Sequence, residues 1–287
     1  MAIKIITDST SYLSTELLNE YDISVVSLSV YYDGVSYLET QMDLNDFYNR
    51  IPELSSLPTS SQPSLDSLYQ AFLLPVKKGD KVIAIFLSSE MSGTYNSALM
   101  AKNMVLEEYP NAQIEIFDSR TNCMEMGFLV LEAAKAATQN KNVEEILSLL
   151  TYYMQCTRFL FVPSTLEYLK KGGRIGNASS LLAELLKIKP VLTVKEGFTT
   201  TRAKIRTQKK ALDYILTVFS DDQASLGLEN VVIHHIHCPE EALAFAQRVQ
   251  AITGFLPQIV SIGGVIGTHV GPGTIGIAYQ TKNPLTK

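Results

Sequence analysis

The sequence predicts an α/β protein made of two α/β domains, the first holding a doubly wound, mainly parallel sheet. Short apolar runs alternate with helical segments along the chain, in the order typical of βαβ units. The run KVIAIFL at residues 81–87 is apolar throughout, as expected of a buried parallel strand. With 287 residues, 46% of them hydrophobic, the chain is long enough for two domains and can bury a sizeable core.

The predicted N-terminal domain spans residues 1–158. Its expected strands are 2–6, 23–32, 81–87 and 112–118, and its expected helices are 14–21, 44–51, 64–73 and most of 122–155. Asp33-Gly34 is a turn signal after the second strand, and Asp43 is placed to cap the next helix. Sheets of this class bind ligands at the carboxyl ends of their strands.

The predicted C-terminal domain is smaller and spans residues 159–287. Its expected strands are 159–163, 190–194, 203–207 and 230–236, and its expected helices are 164–171, 177–186, 209–219 and 239–253, followed by strand-like segments. Ser164 and Glu167 have the spacing of a capping box, and Gly172-Gly173 ends that helix. Because no low-complexity linker occurs, we expect the two domains to pack closely.

The charge of the chain is unevenly distributed. A net charge of −5 argues against general nucleic-acid binding. Residues 163–212 nevertheless carry eleven Lys or Arg against three Glu. This basic segment fits an acidic partner, a phosphate-bearing ligand or an ordinary solvated face.

The sequence contains no signal for secretion or membrane insertion. Its three cysteines, Cys123, Cys156 and Cys238, are widely spaced, as is typical of free thiols in a reducing compartment. The N-terminus reads as a strand, and the chain contains no run of about 18 apolar residues. We therefore expect a cytoplasmic protein without an integral membrane segment.

Three loops rich in hydroxyl groups or glycine are candidate ligand contacts: PTSSQPS at 58–64, SSEMSGT at 88–94 and THVGPGTIG at 268–276. Ser92 is placed to cap a helix whose first N–H groups suit a carboxylate or phosphate, and Ser60 and Ser61 add donors. The turn at 271–273 would aim His269 at the ligand. Each loop alone is compatible with an ordinary cap or turn, but the three together favour an anion site.

A nucleophilic serine is the alternative interpretation. Ser92, Asp118 and His269 occur in the chain order of the α/β-hydrolase triad, which would make the protein a serine acyl hydrolase. Ser92, however, lacks the first glycine of the G-x-S-x-G elbow and comes four residues after the strand is expected to end. This alternative is therefore the weaker one.

Metal and nucleotide sites have little support. In HHIHC at 234–238, strand alternation places His235 and His237 on one face and His234 and Cys238 on the other, so we expect a strand end near the surface and no metal. No phosphate-binding G-x-x-x-x-G-K-[ST] or G-x-G-x-x-G motif opens a helix, so we expect neither ATP chemistry on this chain nor a cofactor.

Two basic connections complete the set of candidate residues. KKGGRIGN at 170–177 contains Arg174, and AKIRTQKK at 203–210 contains Arg206. Arginine binds carboxylate and phosphate groups in bidentate fashion, so both segments suit docking or phosphate binding. A helix end with favourable dipole charges explains the first segment equally well.

Together these motifs resemble the DegV family. TDST, TSSQPS, SSEMSGTYNSA, FDSRT, KKGGRIG, IKPVLTV, KIRTQKKAL and HVGPGTIG occur in the family's order and cover nearly the whole chain. The resemblance implies two α/β domains that bury a fatty acid in a tunnel. It also implies a carrier like the FakB subunits of bacterial fatty acid kinase, which present the fatty acid to a separate ATP-dependent kinase subunit that makes the acyl phosphate for phospholipid synthesis.

The resemblance also assigns roles to individual residues. It implies that the fatty-acid carboxylate is held by Ser60 with Ser61, by Ser92 and by His269, and that Arg174 and Arg206 engage the kinase. No residue of this chain would then be catalytic. Ser60 stands where the family commonly has Thr, which keeps the hydroxyl and loses a methyl group.

Overall fold

The computed structural model describes residues 2–184 and 188–285, and within them the chain is a mixed α/β protein. The strands are β1 Ile3–Asp8, β2 Ser24–Val26, β3 Ser29–Tyr32, β4 Val35–Leu38, β5 Thr59–Ser61, β6 Lys81–Phe86, β7 Ile114–Asp118, β8 Thr157–Val162, β9 Val191–Lys195, β10 Phe198–Ala203, β11 Leu228–Ile236, β12 Gln258–Ser261 and β13 Thr274–Thr281.

The α-helices are α1 Thr15–Glu20, α2 Leu44–Arg50, α3 Leu65–Lys77, α4 Thr94–Glu108, α5 Cys123–Thr138, α6 Val143–Tyr153, α7 Glu167–Lys171, α8 Gln208–Leu226, α9 Pro239–Thr253 and α10 Gly264–Val270. Short 3-10 helices cover Ser9–Ser11, Glu39–Gln41, Ile51–Glu53 and Gly176–Glu184.

The strands of the described residues form three sheets. The first is parallel, with the order β2-β1-β6-β7. The second has the order β10-β9-β8-β13-β11-β12 and is antiparallel except for the β11–β12 pair. The third is a small antiparallel sheet, β4-β3-β5, contributed by residues between β2 and α3.

Helix α5 lies between the two large sheets. It contacts β1 and β6 of the parallel sheet and β8 and β13 of the six-stranded sheet. Most of its residues are buried, as expected for a helix that is apolar on nearly all sides. Side chains of both sheets and of α5 therefore share one hydrophobic core, whereas α3 with α4, and α8 with α9, cover the outer faces of the two sheets.

The predicted second strand, residues 23–32, is in fact two strands in different sheets. The chain leaves the parallel sheet after Val26 and enters the small antiparallel sheet at Ser29. Between them the Leu28 N–H donates to Ser9 Oγ at 3.1 Å, and the Leu28 carbonyl accepts from the Glu39 N–H at 2.9 Å. These bonds take Leu28 out of the strand pairing that its apolar neighbours predict.

The predicted capping box at Ser164 is wrong. The Ser164 hydroxyl donates to the Pro272 carbonyl at 2.6 Å, so the side chain ties two loops together instead of capping a helix. Helix α7 begins only at Glu167, whose N–H donates to Thr165 Oγ1 at 3.2 Å. The tertiary contact with the 271–273 turn is the reason for the difference.

The predicted basic strand at 203–207 is placed wrongly, because the strand of this region, β10, spans Phe198–Ala203 and ends where the predicted strand begins. The turn at Glu196-Gly197 is correct, with φ angles of 54° and 87°, and it leads directly into β10. Arg206 therefore follows the strand, and Thr207 caps α8 through its side chain. The predicted helix at 177–186 is a 3-10 helix as far as Glu184, and its last two residues lie outside the described residues.

Candidate functional site

A cavity of about 340 Å³ lies between the small antiparallel sheet, the six-stranded sheet and α10. This volume is within the range of small-molecule sites, ~300–1,000 Å³. Residues from both halves of the chain line it, from Leu28 to Asn122 and from Phe159 to Thr274. Its walls are largely apolar and include Leu28, Leu87, Phe159, Phe161, Val194 and Ile266.

The shortest polar contact among the lining residues joins Ser60 and His269. Ser60 Oγ is 2.7 Å from His269 Nε2, although the two residues are 209 positions apart. Ser60 is on β5, which pairs with β3, and His269 is in the last turn of α10. The helix, and not the glycine turn after it, therefore aims the imidazole at the cavity.

His269 is held in the neutral form. Burial and the nearby Arg174 guanidinium lower its pKa from 6.5 to about 4. Its other ring nitrogen, Nδ1, is buried against the Gly172 backbone, which partly offsets the lowering of the pKa. A side chain at Gly172 would overlap that nitrogen, which gives the glycine of the GGR sequence a steric role.

Ser92 lies at the cavity, on the turn that leads into α4. Its hydroxyl oxygen accepts from the Thr94 N–H at 3.2 Å and is 2.9 Å from Thr94 Oγ1. Gly93, and not Ser92, occupies the position before the first helical residue, so the expected N-cap is displaced by one residue. Ser92 still binds an N–H group of the first turn, which is the chemistry that a cap provides.

Gln62 joins two of the three candidate loops. Its side-chain amide donates to Ser97 Oγ in α4, and a Cβ atom at Gly93 would overlap its carbonyl oxygen. Because residue 93 has no side chain, the Gln62 amide can lie against the turn at 92–94. This contact brings Ser60, Ser61 and Ser92 to the same cavity.

The two arginines differ in position. Arg174 lines the cavity, and its guanidinium donates to the Met91 carbonyl at 3.1 Å and to the Gly172 carbonyl at 2.7 Å. Arg206 is exposed on the connection before α8 and is not among the residues that line the cavity. Only Arg174 therefore contributes charge at the candidate site.

The hydrolase triad is not assembled. His269 Nε2 is hydrogen-bonded to Ser60 and not to Ser92. The Asp118 carboxylate accepts from the Ser89 N–H at 3.2 Å, from the Ser89 hydroxyl at 2.6 Å and from the Arg120 N–H at 2.9 Å. Asp118 thus binds Ser89 in the loop after β6 and Arg120 in its own loop, and it is not among the residues that line the cavity.

The histidine-rich strand end is buried, contrary to the expected surface position. His234 is fully buried, and its Nε2 accepts from the Met124 N–H at 3.1 Å at the start of α5. Strand β11 ends at Ile236, and His237 turns away to bond with Asn49 at 3.0 Å. Within residues 2–184 and 188–285, no three His, Cys, Asp or Glu side chains are grouped as a metal site.

Sequence reasoning missed two polar lining residues. Asn122, from the loop before α5, is buried; its side-chain nitrogen is 3.1 Å from Met91 Sδ, and its side-chain oxygen has no partner in the described residues. Thr199 on β10 also lines the cavity. Neither lies in a loop that its composition marks as a site, so only the tertiary structure identifies them.

No helix of the described residues combines the length and apolarity needed to cross a bilayer.

Comparison with known proteins identifies the family. The model of the DegV family of uncharacterised proteins matches residues 2–282. A DegV domain-containing protein of Clostridium acetobutylicum is 46% identical over 282 residues, which are 98% of this chain and 99% of that protein. Among solved structures, a stearic-acid-binding protein from Eubacterium ventriosum superposes with a TM-score of 0.89 at 31% identity, covering 98% of each chain. DegV of Bacillus subtilis, described as a fatty-acid-binding protein, gives 0.88 at 32% identity and covers 98% of this chain and 100% of that one. The chain belongs to the DegV family.

Proposed function

We propose that this protein is a fatty-acid carrier that binds one long-chain fatty acid in the 340 Å³ cavity and presents it to a separate ATP-dependent kinase. In this proposal Ser60, Ser61, Ser92 and His269 hold the carboxylate, the acyl chain is the ligand, and no cofactor is involved. The observation that carries the proposal is a half-buried Ser60–His269 hydrogen bond in a cavity whose walls are otherwise mainly apolar.

The polar side chains suit a carboxylate. When the neutral imidazole carries its proton on Nε2, it donates to Ser60 Oγ, and the Ser60 hydroxyl hydrogen is then free to bond the ligand. The hydroxyls of Ser61 and Ser92 add donors, and Arg174 supplies the positive charge that offsets the carboxylate. These bonds matter because the desolvation of a carboxylate without donors would offset much of the free energy that the acyl chain gains.

The apolar walls suit an acyl chain. Burying about 15 methylene groups at ~0.8 kcal/mol each contributes roughly 12 kcal/mol of gross binding free energy. Loss of translational freedom and ordering of the chain subtract several kcal/mol from this figure. Enough remains for tight, non-covalent binding without a catalytic group. Related structures that bind stearic acid or other fatty acids support the same ligand class here.

The kinase partner rests on the resemblance and on charge. The basic segment 163–212 contains both Arg174 and Arg206, and Arg206 is exposed outside the cavity. A positive surface beside the carboxylate fits a partner that brings ATP phosphates to the ligand. Catalysis would then take place on the partner, in agreement with the unassembled triad at Ser92, His269 and Asp118.

Mass spectrometry of the purified protein tests the carrier proposal directly. The native protein should carry the mass of one fatty acid, and extraction with organic solvent should release that acid and restore the mass of the bare chain. Extracted protein should then take up added long-chain acids. A protein that is empty as purified and takes up no added acid would contradict the proposal, and ester hydrolysis abolished by Ser92→Ala would establish the hydrolase instead.

A further inference from the structure

We propose that Glu39 is a positioning residue. It lies outside the cavity, binds the first turn of α10, and thereby fixes the position of His269, which lines the cavity. The expected effect of Glu39 on fatty-acid binding rests on the proposed function, whereas its expected effect on the position of α10 does not. Glu39 lies 226 positions before Val265 in the chain and is not among the residues that line the cavity.

The contacts of Glu39 form a closed hydrogen-bond cluster. One carboxylate oxygen accepts from the Val265 N–H at 2.9 Å and from the Tyr12 hydroxyl at 3.1 Å. The other oxygen accepts from the Ser9 hydroxyl. The residue is only 7% exposed, so these three donors replace water. One carboxylate thus links the loop after β1 to the first turn of α10.

Helix α10 is a wall of the cavity. Val265, Ile266, His269 and Val270 all line it, and Ile262 lines it just before the helix begins. His269 follows Val265 by four residues, so the two stand one turn apart on the same side of the helix. A shift of the first turn therefore moves the imidazole relative to Ser60, to which it is bonded at 2.7 Å.

Three glycines allow the helix to sit directly on its support. A Cβ atom at Gly263 would overlap Glu39 Oε1, one at Gly264 would lie 2.9 Å from the Met42 methyl group, and one at Gly267 would overlap the Tyr48 hydroxyl. That hydroxyl is also within hydrogen-bond distance of the Ile262 and Gly263 carbonyls, at 3.0 and 2.9 Å. The glycine-rich sequence 263–267 is not part of the three candidate ligand loops. Its glycines allow α10 to pack closely against residues 39–48.

Burying a carboxylate at position 39 costs desolvation free energy. Burial raises the pKa of Glu39 from 4.5 to about 7, because hydrogen-bond donors only partly compensate for the loss of water. An apolar residue would avoid that cost but would leave the Val265 N–H and two hydroxyls without an acceptor. The need to hold the first turn of α10 explains why a carboxylate, and not an apolar side chain, occupies position 39.

Four single variants test the role of Glu39. Hydrogen exchange of peptides within 262–270 is measured on the ligand-free protein, and hexadecanoic acid binding is measured by calorimetry. Glu39→Ala removes the acceptor, and Glu39→Gln keeps one oxygen for the Val265 N–H. Tyr48→Phe removes only the second support and serves if Glu39→Ala does not fold. Glu125→Ala is the matched control, because Glu125 is equally buried but bonds to Thr121.

We expect Glu39→Ala to accelerate exchange in 262–270 and to weaken hexadecanoic acid binding by roughly tenfold, as for loss of a hydrogen bond to a charged group. Glu39→Gln should recover most of the affinity, Tyr48→Phe should act in the same direction as Glu39→Ala, and Glu125→Ala should leave both measurements near wild type. Unchanged exchange, unchanged affinity, or an equal effect of Glu125→Ala would overturn the proposal. If the wild-type protein binds no fatty acid, the proposed function fails, and exchange alone decides whether Glu39 holds the helix.

Discussion

His269 shows how burial selects a protonation state. With a pKa of about 4, the imidazole is neutral at physiological pH and offers one N–H donor, and the positive charge at the cavity comes from Arg174. This division of roles would let the site bind a carboxylate without burying an imidazolium ion. In the proposed site, Ser60, its partner at 2.7 Å, would be the hydroxyl that reaches the ligand.

Replacement of His269 by Ala should weaken fatty-acid binding by roughly 10- to 100-fold, because the imidazole orients the Ser60 hydroxyl, and one hydrogen bond from that hydroxyl to a charged carboxylate has this range. Titration of delipidated protein with hexadecanoic acid measures the change. His237→Ala is the matched control, because that imidazole bonds to Asn49 and does not line the cavity. An affinity within twofold of wild type for His269→Ala would remove this residue from the proposed site.

His234 should make stability depend on pH. Burial lowers its pKa from 6.5 to about 4, so the unfolded chain binds more protons between these values, and the stabilisation present above pH 6.5 is lost as the pH falls towards 4. Three buried carboxyl groups act in the opposite sense, because burial raises the pKa values of Asp8 to about 6 and of Glu39 and Glu125 to about 7. Wild type must therefore be compared with a variant.

Between pH 7 and pH 5, wild type should lose roughly 2 kcal/mol more unfolding free energy than His234→Gln does. Urea unfolding at both pH values measures this difference, and the carboxyl contributions cancel because both proteins contain them. Equal pH dependence of the two proteins would mean that His234 titrates normally in the folded state.

At the level of elements, α10 combines two tasks on opposite faces. Its cavity face carries Val265, Ile266 and His269, while the glycines of its first turns rest on residues 39–48. The helix has only seven residues and no side-chain cap. Its position therefore depends on tertiary contacts more than on helix propensity.

A methyl group on the face of α10 that contacts residues 39–48 should disturb this packing. Gly267→Ala would place a Cβ atom against the Tyr48 hydroxyl, so we expect it to lower the unfolding free energy by about 1–3 kcal/mol. Urea unfolding measures the cost. In a Tyr48→Ala background, the added cost should fall by about 1 kcal/mol or more, because the two residues are in contact. An identical cost in both backgrounds would show that the strain lies elsewhere.

At the level of the whole molecule, the cavity joins the two halves of the chain. Ser60 and Leu87 come from the first half, and Phe159 and His269 from the second. Helix α5 packs against both large sheets beside them. A ligand in this position contacts both halves at once, so its binding free energy adds to the stability of the folded chain as a whole.

Delipidated protein should therefore melt at a lower temperature than protein with bound fatty acid. At a free ligand concentration 100 times the dissociation constant, binding contributes about 2.7 kcal/mol to stability. Thermal unfolding with and without hexadecanoic acid measures the shift, and the methyl ester, which lacks the carboxylate, should give a smaller one. Equal shifts with acid and ester would argue against a carboxylate anchor.

The two arginines should separate ligand binding from partner engagement. Arg206→Ala should leave fatty-acid affinity within twofold of wild type and slow acyl-phosphate formation by an added kinase, because Arg206 is exposed outside the cavity. Arg174→Ala should affect both measurements, since Arg174 lines the cavity. Kinase-dependent formation of acyl phosphate, followed in parallel with binding, tests both. A normal rate with Arg206→Ala would exclude this residue from the partner surface.

The sequence by itself determined the fold class, the family and most of the regular elements. Apolar runs such as 81–87 and loops rich in Pro and Ser such as 58–64 are local patterns, which can be recognised from the sequence without knowledge of the fold. The hydroxyl-rich loops and His269 were also recognisable, because three such loops occur in one chain, although each alone is compatible with an ordinary turn. The sequence equally suggested a triad of Ser92, Asp118 and His269, since chain order says nothing about distance.

Only the tertiary structure decided which of these groups meet. The bond between Ser60 and His269 spans 209 positions, Asp118 accepts a hydrogen bond from Ser89, 29 positions before it, and Ser164 bonds to Pro272 instead of capping a helix. Leu28 leaves its strand because Ser9 and Glu39 bind its backbone groups. In each case a hydrogen bond between segments distant in the chain outweighs a local preference, and no local pattern in the sequence records such a bond.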